Sequence, residues 1–399
     1  MNRQLSICAI LVLVSALTSA QNPQKFDSLY KTIYAKDLCH LLKANPSIVL
    51  LDVRTPGEFN DTSQRTSLNM GRLKGAINLH IDTIQKNNGL VEQFRDKTLV
   101  IYCSHSQRSR RVSKLLTEKG FTDFYNLNGG MSDLNQMSDK LFPCKEDWLV
   151  SSLGYKNLSN AAAAEMIATD KRLLVLDLRP APHFNGTDSA MENNLGKIQG
   201  AINIPYAELG NKAGELQKYK EQPVLVYAAS GDGDAAKAAA YLVSNGFKQV
   251  YHLLAGLNDL VASQPGQGLI ESAMPFRLIN SEGALDLLKK EQEIVIYDTR
   301  PETEFDNRDK TSWLNLGSIR HAVNLRESNF KNMQVPGSKE QPILIYGHGE
   351  AYKLAHQLGS KGYTRVYLME GLYDFFWSSF NVEACREARQ FLVNHEGIY

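Results

Sequence analysis

A twelve-residue segment, IVLLDVRTPGEF (48–59), returns as LLVLDLRPAPHF (173–184) and again as IVIYDTRPETEF (294–305). Each copy is an apolar run that ends in Asp-x-Arg. The aspartates Asp52, Asp177 and Asp298 lie 125 and 121 residues apart, which is the length of a domain and not of a solenoid repeat. Twelve residues beyond each phenylalanine a glycine opens GRLKGAINL (71–79), GKIQGAINI (196–204) and GSIRHAVNL (317–325). A further apolar run then ends at Cys103, Ala228 and Gly347, and a helix-like stretch closes on Gly120, Gly246 and Gly362.

Short, continuous apolar runs alternating with helical stretches are the pattern of strands buried on both faces within βα units. The stretch after Cys103 places Val112, Leu115 and Leu116 on one face, with Gly120 where a C-terminal cap belongs. The expected architecture is α/β: three tandem units, each a mostly parallel, doubly wound sheet flanked by helices. Pro, Gly and charged residues at 138–148 and 263–272 mark the expected linkers, giving units 21–145, 146–268 and 269–399.

The first twenty residues read differently. Arg3 precedes an apolar run from Leu5 to Leu17, and Thr18-Ser19-Ala20 forms a small-x-small cleavage pattern. Residues 1–20 are expected to be a cleavable signal peptide, which points to a periplasmic or secreted protein. A net charge of +1 argues against a nucleic-acid partner, whose recognition rests on a basic surface. Beyond Cys8, only Cys39, Cys103, Cys144 and Cys385 remain, too few for a disulfide scaffold. One disulfide among Cys39, Cys144 and Cys385 stays open, with Cys39 aligned to Ala164 and Leu285 as a small core residue.

Asp-x-Arg-x-x-x-Glu-Phe, then Gly-x-Leu/Ile-x-Gly-Ala-x-Asn, then a strand ending in Cys-x4-Arg, resembles the rhodanese family over nearly the whole chain. All three copies depart from it in one shared way. The stretch between the phenylalanine and the next glycine is longer than the family usually carries.

In the first unit the strand turns at Cys103 through Ser104, His105, Ser106 and Gln107 to Arg108. Such a turn lies at the carboxyl edge, where parallel sheets place their ligands. Its N–H groups, the following helix N-terminus and Arg108 converge on negative charge and favour a thiolate. The resemblance implies Cys103 as the catalytic nucleophile and Arg108 as anion stabiliser, with Ser104, His105, Ser106 and Gln107 lining the substrate site. Asp52, on the same sheet edge, reads either as a border of that site or as a fold residue, since Asp177 and Asp298 persist in the copies without the cysteine. Four residues separate Cys103 from Arg108, as in sulfurtransferases; related phosphatases carry five. Ser106 stands where the family commonly has glycine, and Ser104 where a basic residue is frequent.

The other loops lack the thiol: Ala228 to Asp234, with Asp232, in the second unit and Gly347 to Glu350 in the third. Arg54 and Glu58 read as a fold-supporting ion pair. The resulting expectation is an exported sulfurtransferase passing sulfane sulfur through a Cys103 persulfide. Its donor would be a small sulfur-containing anion such as thiosulfate, or a persulfide, and its acceptor a thiol or cyanide, with no cofactor and no metal. The competing expectation is a binding or scaffold protein that meets a protein partner at the two cysteine-less units.

Overall fold

The computed structural model describes residues 29–138, 142–231 and 233–393. The expected signal segment and Asp232 lie outside the described residues.

Three five-stranded sheets, each parallel throughout, carry one strand order. In the first unit the order across the sheet is Lys31–Ile33, Phe124–Leu127, Leu99–Tyr102, Val49–Asp52, Ile77–Asn78. The second and third units repeat it around central strands Pro223–Tyr227 and Ile343–Gly347. Both faces of each sheet are covered, so successive side chains alternate between two cores rather than between core and water. Along the central strand of the first unit, Val100 and Tyr102 pack with Leu38 and Leu134, while Leu99, Ile101 and Cys103 pack with Val112 and Leu116.

The repeated motifs weld strand to turn. Asp52 is fully buried and takes the Arg54 backbone N–H at 2.9 Å, its Nε at 3.0 Å and its Nη2 at 2.7 Å. Arg54 Nη2 then donates to the Gly71 carbonyl at 2.8 Å, pinning the Gly-x-Leu segment to the strand end. Arg179 does the same to Asp177 and Gly196, and Arg300 to Asp298 and Gly317. Asn78 donates to the Asp52 and Arg54 carbonyls at 3.1 and 2.9 Å, with Asn203 and Asn324 as counterparts. A buried ion pair of this kind specifies geometry more than it adds stability, and in all three units the arginine Nη1 is left buried without a hydrogen-bond partner. Asp52 thereby ties the strand end to the turn, and Arg54 pairs with Asp52 where an Arg54–Glu58 pair was expected.

The expected linkers are structural. Leu149–Val150 returns to pair antiparallel with Arg72–Leu73, and Ile270–Glu271 with Lys197–Ile198. Leu392–Val393 pairs likewise with Ser318–Ile319. The boundaries expected at 145/146 and 268/269 thus fall a few residues ahead of these closing strands. Cys144 forms a disulfide with Cys39 of the helix Ala35–Ala44, so Cys39 is a buried cystine half and not simply a small core residue. Cys385 is a buried free thiol, pushed up to about 12 by burial first and by Glu282 and Asp133 next.

The units are not beads on a string. One apolar cluster runs from Val175, Leu225 and Leu257 of the second unit into Phe276, Ile345 and Tyr352 of the third. Leu254 of the second unit packs into the core of the first. The third unit returns to the first through Lys36 and Glu383, 2.6 Å apart. Among the described residues, no helix is long and apolar enough to cross a membrane.

Candidate active site

The alternation of the central strand decides where Cys103 goes. As the residue after Tyr102 it continues the buried row of Leu99 and Ile101, and it is 1% exposed. The chain then turns into the helix Gln107–Glu118. Ser106, fully buried, caps this turn at φ 73°, in the left-handed region that costs a non-glycine residue about 1–2 kcal/mol. Its Oγ accepts from the Gly129 N–H at 2.6 Å, and its carbonyl accepts from Ser109 Oγ at 3.0 Å.

The loop is held from below by the next helix. Met131 N–H donates to the Cys103 carbonyl at 2.9 Å and Ser132 N–H to the Ser104 carbonyl at 3.0 Å. The approach requires glycine, since a Cβ on Gly130 would stand 2.2 Å from the Cys103 oxygen. Among the described residues, no backbone carbonyl accepts from the N–H groups of Ser104, His105 or Ser106. They and the first N–H groups of the helix form an anion-favouring nest.

Arg108 is placed by an acid that sequence reading assigned elsewhere. Its Nη1 and Nη2 each donate to Glu58 at 2.6 Å, and Nη2 also reaches Ser104 Oγ at 2.7 Å. Burial alone would lower the Arg108 pKa, but Glu58 first and Cys103 after it raise it. Burial likewise pushes Glu58 up, yet Arg108 and the Thr55 N–H and hydroxyl outweigh it and hold the carboxyl at about 2. Thr55 and Glu58 close a capping box on the short helix Pro56–Phe59, which fixes Glu58 before Arg108 meets it. The repeats gave no consistent signal for this role: the second unit has His183 in place of Glu58 and has lost the arginine, but the third keeps Glu304 without one.

The structure brings Cys103, Ser104, Ser106 and Arg108 together around the loop. Ser104 acts on Arg108, and Ser106 on the turn itself. His105 and Gln107 are exposed at the rim. Crowding around the His105 ring, then the Arg108 charge, lowers its pKa. Gln107 Nε2 donates to Tyr373 Oη of the third unit at 3.3 Å, a contact that local sequence could not reveal. Among the described residues no cluster of His, Cys, Asp and Glu is arranged to hold a metal.

A buried cysteine thus stands at the carboxyl edge of a parallel sheet, with an arginine beside it. The chain belongs to the rhodanese-like family, whose model, Rhodanese-like domain, matches residues 35–137, 159–263 and 281–377. Among curated proteins it is similar to a mitochondrial protein of Schizosaccharomyces pombe named as a thiosulfate sulfurtransferase, with 28% identity over 35% of this chain and 96% of the relative. It is also similar to the thiosulfate sulfurtransferase GlpE of Shewanella oneidensis, with 30% identity over 26% of this chain and 92% of the relative. A crystal structure of thiosulfate sulfurtransferase from Pseudomonas aeruginosa aligns at 17% identity and a TM-score of 0.23, covering 86% of this chain and 67% of that one.

Proposed function

We propose that the protein is an exported sulfurtransferase with one active unit, in which Cys103 carries the transferred sulfur. The observation that supports this most is the Cys103 turn: nucleophile, free N–H nest and Glu58-anchored Arg108 converge there, whereas Ala228 and Gly347 occupy the same strand ends in the other units. With thiosulfate as donor, the Cys103 thiolate attacks the outer sulfur and the donor S–S bond breaks. Sulfite leaves with the electron pair, and Cys103 becomes a persulfide. A thiolate or cyanide acceptor then attacks the terminal sulfur and returns Cys103 as thiolate. Through both steps the nest and Arg108 meet negative charge with preset donors. Export is supported by the signal pattern at residues 1–20 and by the Cys39–Cys144 disulfide, which suits an oxidising compartment.

The two thiol-free units favour a second reading, a binding or scaffold protein. Intact mass before and after thiosulfate separates the two. A gain of one sulfur, removed by dithiothreitol and absent in Cys103→Ser, supports the enzyme. No adduct on a free Cys103 thiol, from thiosulfate, 3-mercaptopyruvate or an organic persulfide, leaves the scaffold reading.

A further inference from the structure

The thiol-free loop of the third unit is rebuilt and not merely stripped of its cysteine. At Gly347 the backbone runs at φ 142°, and a Cβ there would stand 2.1 Å from Thr299 Oγ1. The Thr299 hydroxyl fills the space that the first carbon of a nucleophile's side chain needs, so a cysteine at this strand end would have to displace it. The loop is also short. Only His348 separates the strand Ile343–Gly347 from the helix Gly349–Ser360. Onto that helix packs the insertion of the second unit, the long stretch between phenylalanine and glycine, through its short helix Met191–Asn193.

A cavity of about 530 Å³ opens between the two units at this helix N-terminus, with Met191 and Glu192 on the second unit's side and Arg300, Arg326, His348 and Lys353 on the third's. Its polar groups fall into two sets. One is already paired: Arg326 holds Glu350 at 2.5 Å, and Lys353 holds Glu327 at 2.8 Å. The other is not. Among the described residues, nothing accepts from the N–H groups of His348, Gly349 or Glu350. Arg300 is 2% exposed, and its Nε and Nη2 are committed to Asp298 and the Gly317 carbonyl. Its Nη1 is left buried without a hydrogen bond, with Glu304 3.9 Å away and out of reach. The first two units leave the same atom unpaired, but here the arginine is part of a cavity wall. Beside these donors stands an acceptor. Glu192 Oε1 lies where a Cβ on Gly349 would meet it at 3.5 Å, and Glu192 makes no hydrogen bond or ion pair among the described residues.

Unpaired donors next to an unpaired carboxylate, in one small cavity, suit a ligand that brings both charges. An apolar molecule would leave every one of these groups unsatisfied, and a simple anion would meet the Glu192 charge. An α-amino acid carries its carboxylate and ammonium one carbon apart, which matches the adjacency of the Gly349 turn and Glu192. We propose that the cavity between the second and third units binds a free α-amino acid as its zwitterion, the carboxylate on the helix N-terminus and the ammonium on Glu192. The volume falls in the range of small-molecule sites. Both units contribute to the site, so the ligand ties them together. The binding is non-covalent and independent of Cys103.

Thermal melting of the full chain with each proteinogenic amino acid in turn identifies the best binder, and calorimetric titration then measures it. One site per chain and a raised melting temperature are expected. The α-hydroxy acid with the same side chain lacks the ammonium, and the amino acid's methyl ester lacks the carboxylate charge. Each should bind about tenfold more weakly. Glu192→Gln should weaken the amino acid about tenfold without weakening the hydroxy acid, and it breaks no contact on which folding depends. Glu165→Gln, which removes an exposed acid outside the cavity, should leave binding as it is, and so should Cys103→Ser. Three results overturn the proposal: no saturable binding of any amino acid, equal affinity for the hydroxy acid, or unchanged binding in Glu192→Gln. Loss of binding in Cys103→Ser overturns it too, since the ligand would then belong to the first unit's loop.

Discussion

Ser106 sits at φ 73° where glycine would cost nothing, and its hydroxyl is the only gain on the other side. The two effects oppose one another and can be separated. Ser106→Ala keeps the left-handed backbone and strands the Gly129 N–H, so urea unfolding should show a loss of about 2 kcal/mol. Ser106→Gly loses the same bond but relieves the backbone, and its loss should be smaller by about 1 kcal/mol. At Glu58 the sign follows from linkage. Its folded pKa of about 2 lies below the unfolded value near 4.5, so its stabilisation is complete above pH 4.5 and disappears as pH falls through 2. Denaturant curves for the unsubstituted protein and Glu58→Gln should therefore converge as pH drops from 5 toward 2. The gap at pH 7 is on the order of 3 kcal/mol at most. Cys103 and Arg108 were legible because both lie in one turn. Glu58 was not assigned to Arg108 because the two are fifty residues apart, and only the sheet brings the loop after Val49–Asp52 beside the loop after Leu99–Tyr102.

At the scale of elements, each unit's last segment folds back to pair with its Gly-x-Leu or Gly-x-Ile strand. Composition marked these segments as linkers because Pro, Gly and charge also suit a short edge ribbon. In the first unit the disulfide adds a covalent tie across 105 residues of sequence. Closing so long a loop restricts the unfolded chain by about 4–5 kcal/mol in the chain-entropy model. Reduction, or Cys39→Ala with Cys144→Ala, should lower the melting transition of the first unit in calorimetry. The transition of the second and third units, which share one core, should move little. A uniform shift of every transition would contradict this division.

Across the whole molecule the contacts between units place acids close together. Asp133 of the first unit is raised to about 7, by desolvation first and by Glu282 of the third unit second, with Cys385 nearby. A carboxyl with a raised folded pKa favours the folded state below its unfolded pKa of about 3.8, and that advantage is lost as pH rises through 7. Asp133→Asn should accordingly raise the melting temperature more at pH 8 than at pH 5. Two of the shared insertions act at these contacts: that of the first unit meets the second unit's loop, and that of the second meets the third unit's.

What the sequence determined by itself is whatever is carried by short-range pattern: three copies of a parallel βα unit, the strand ends, and the turn that carries Cys103. Those features depend on periodicity and on residues within a few positions of each other. Tertiary structure alone decided that Arg54 pairs with Asp52, that Glu58 holds Arg108, that Cys39 meets Cys144, and that Tyr373 stands beside Gln107. Each of these joins side chains far apart in the chain, and their pairing depends on strand order and on how whole units pack, which a one-dimensional pattern does not contain.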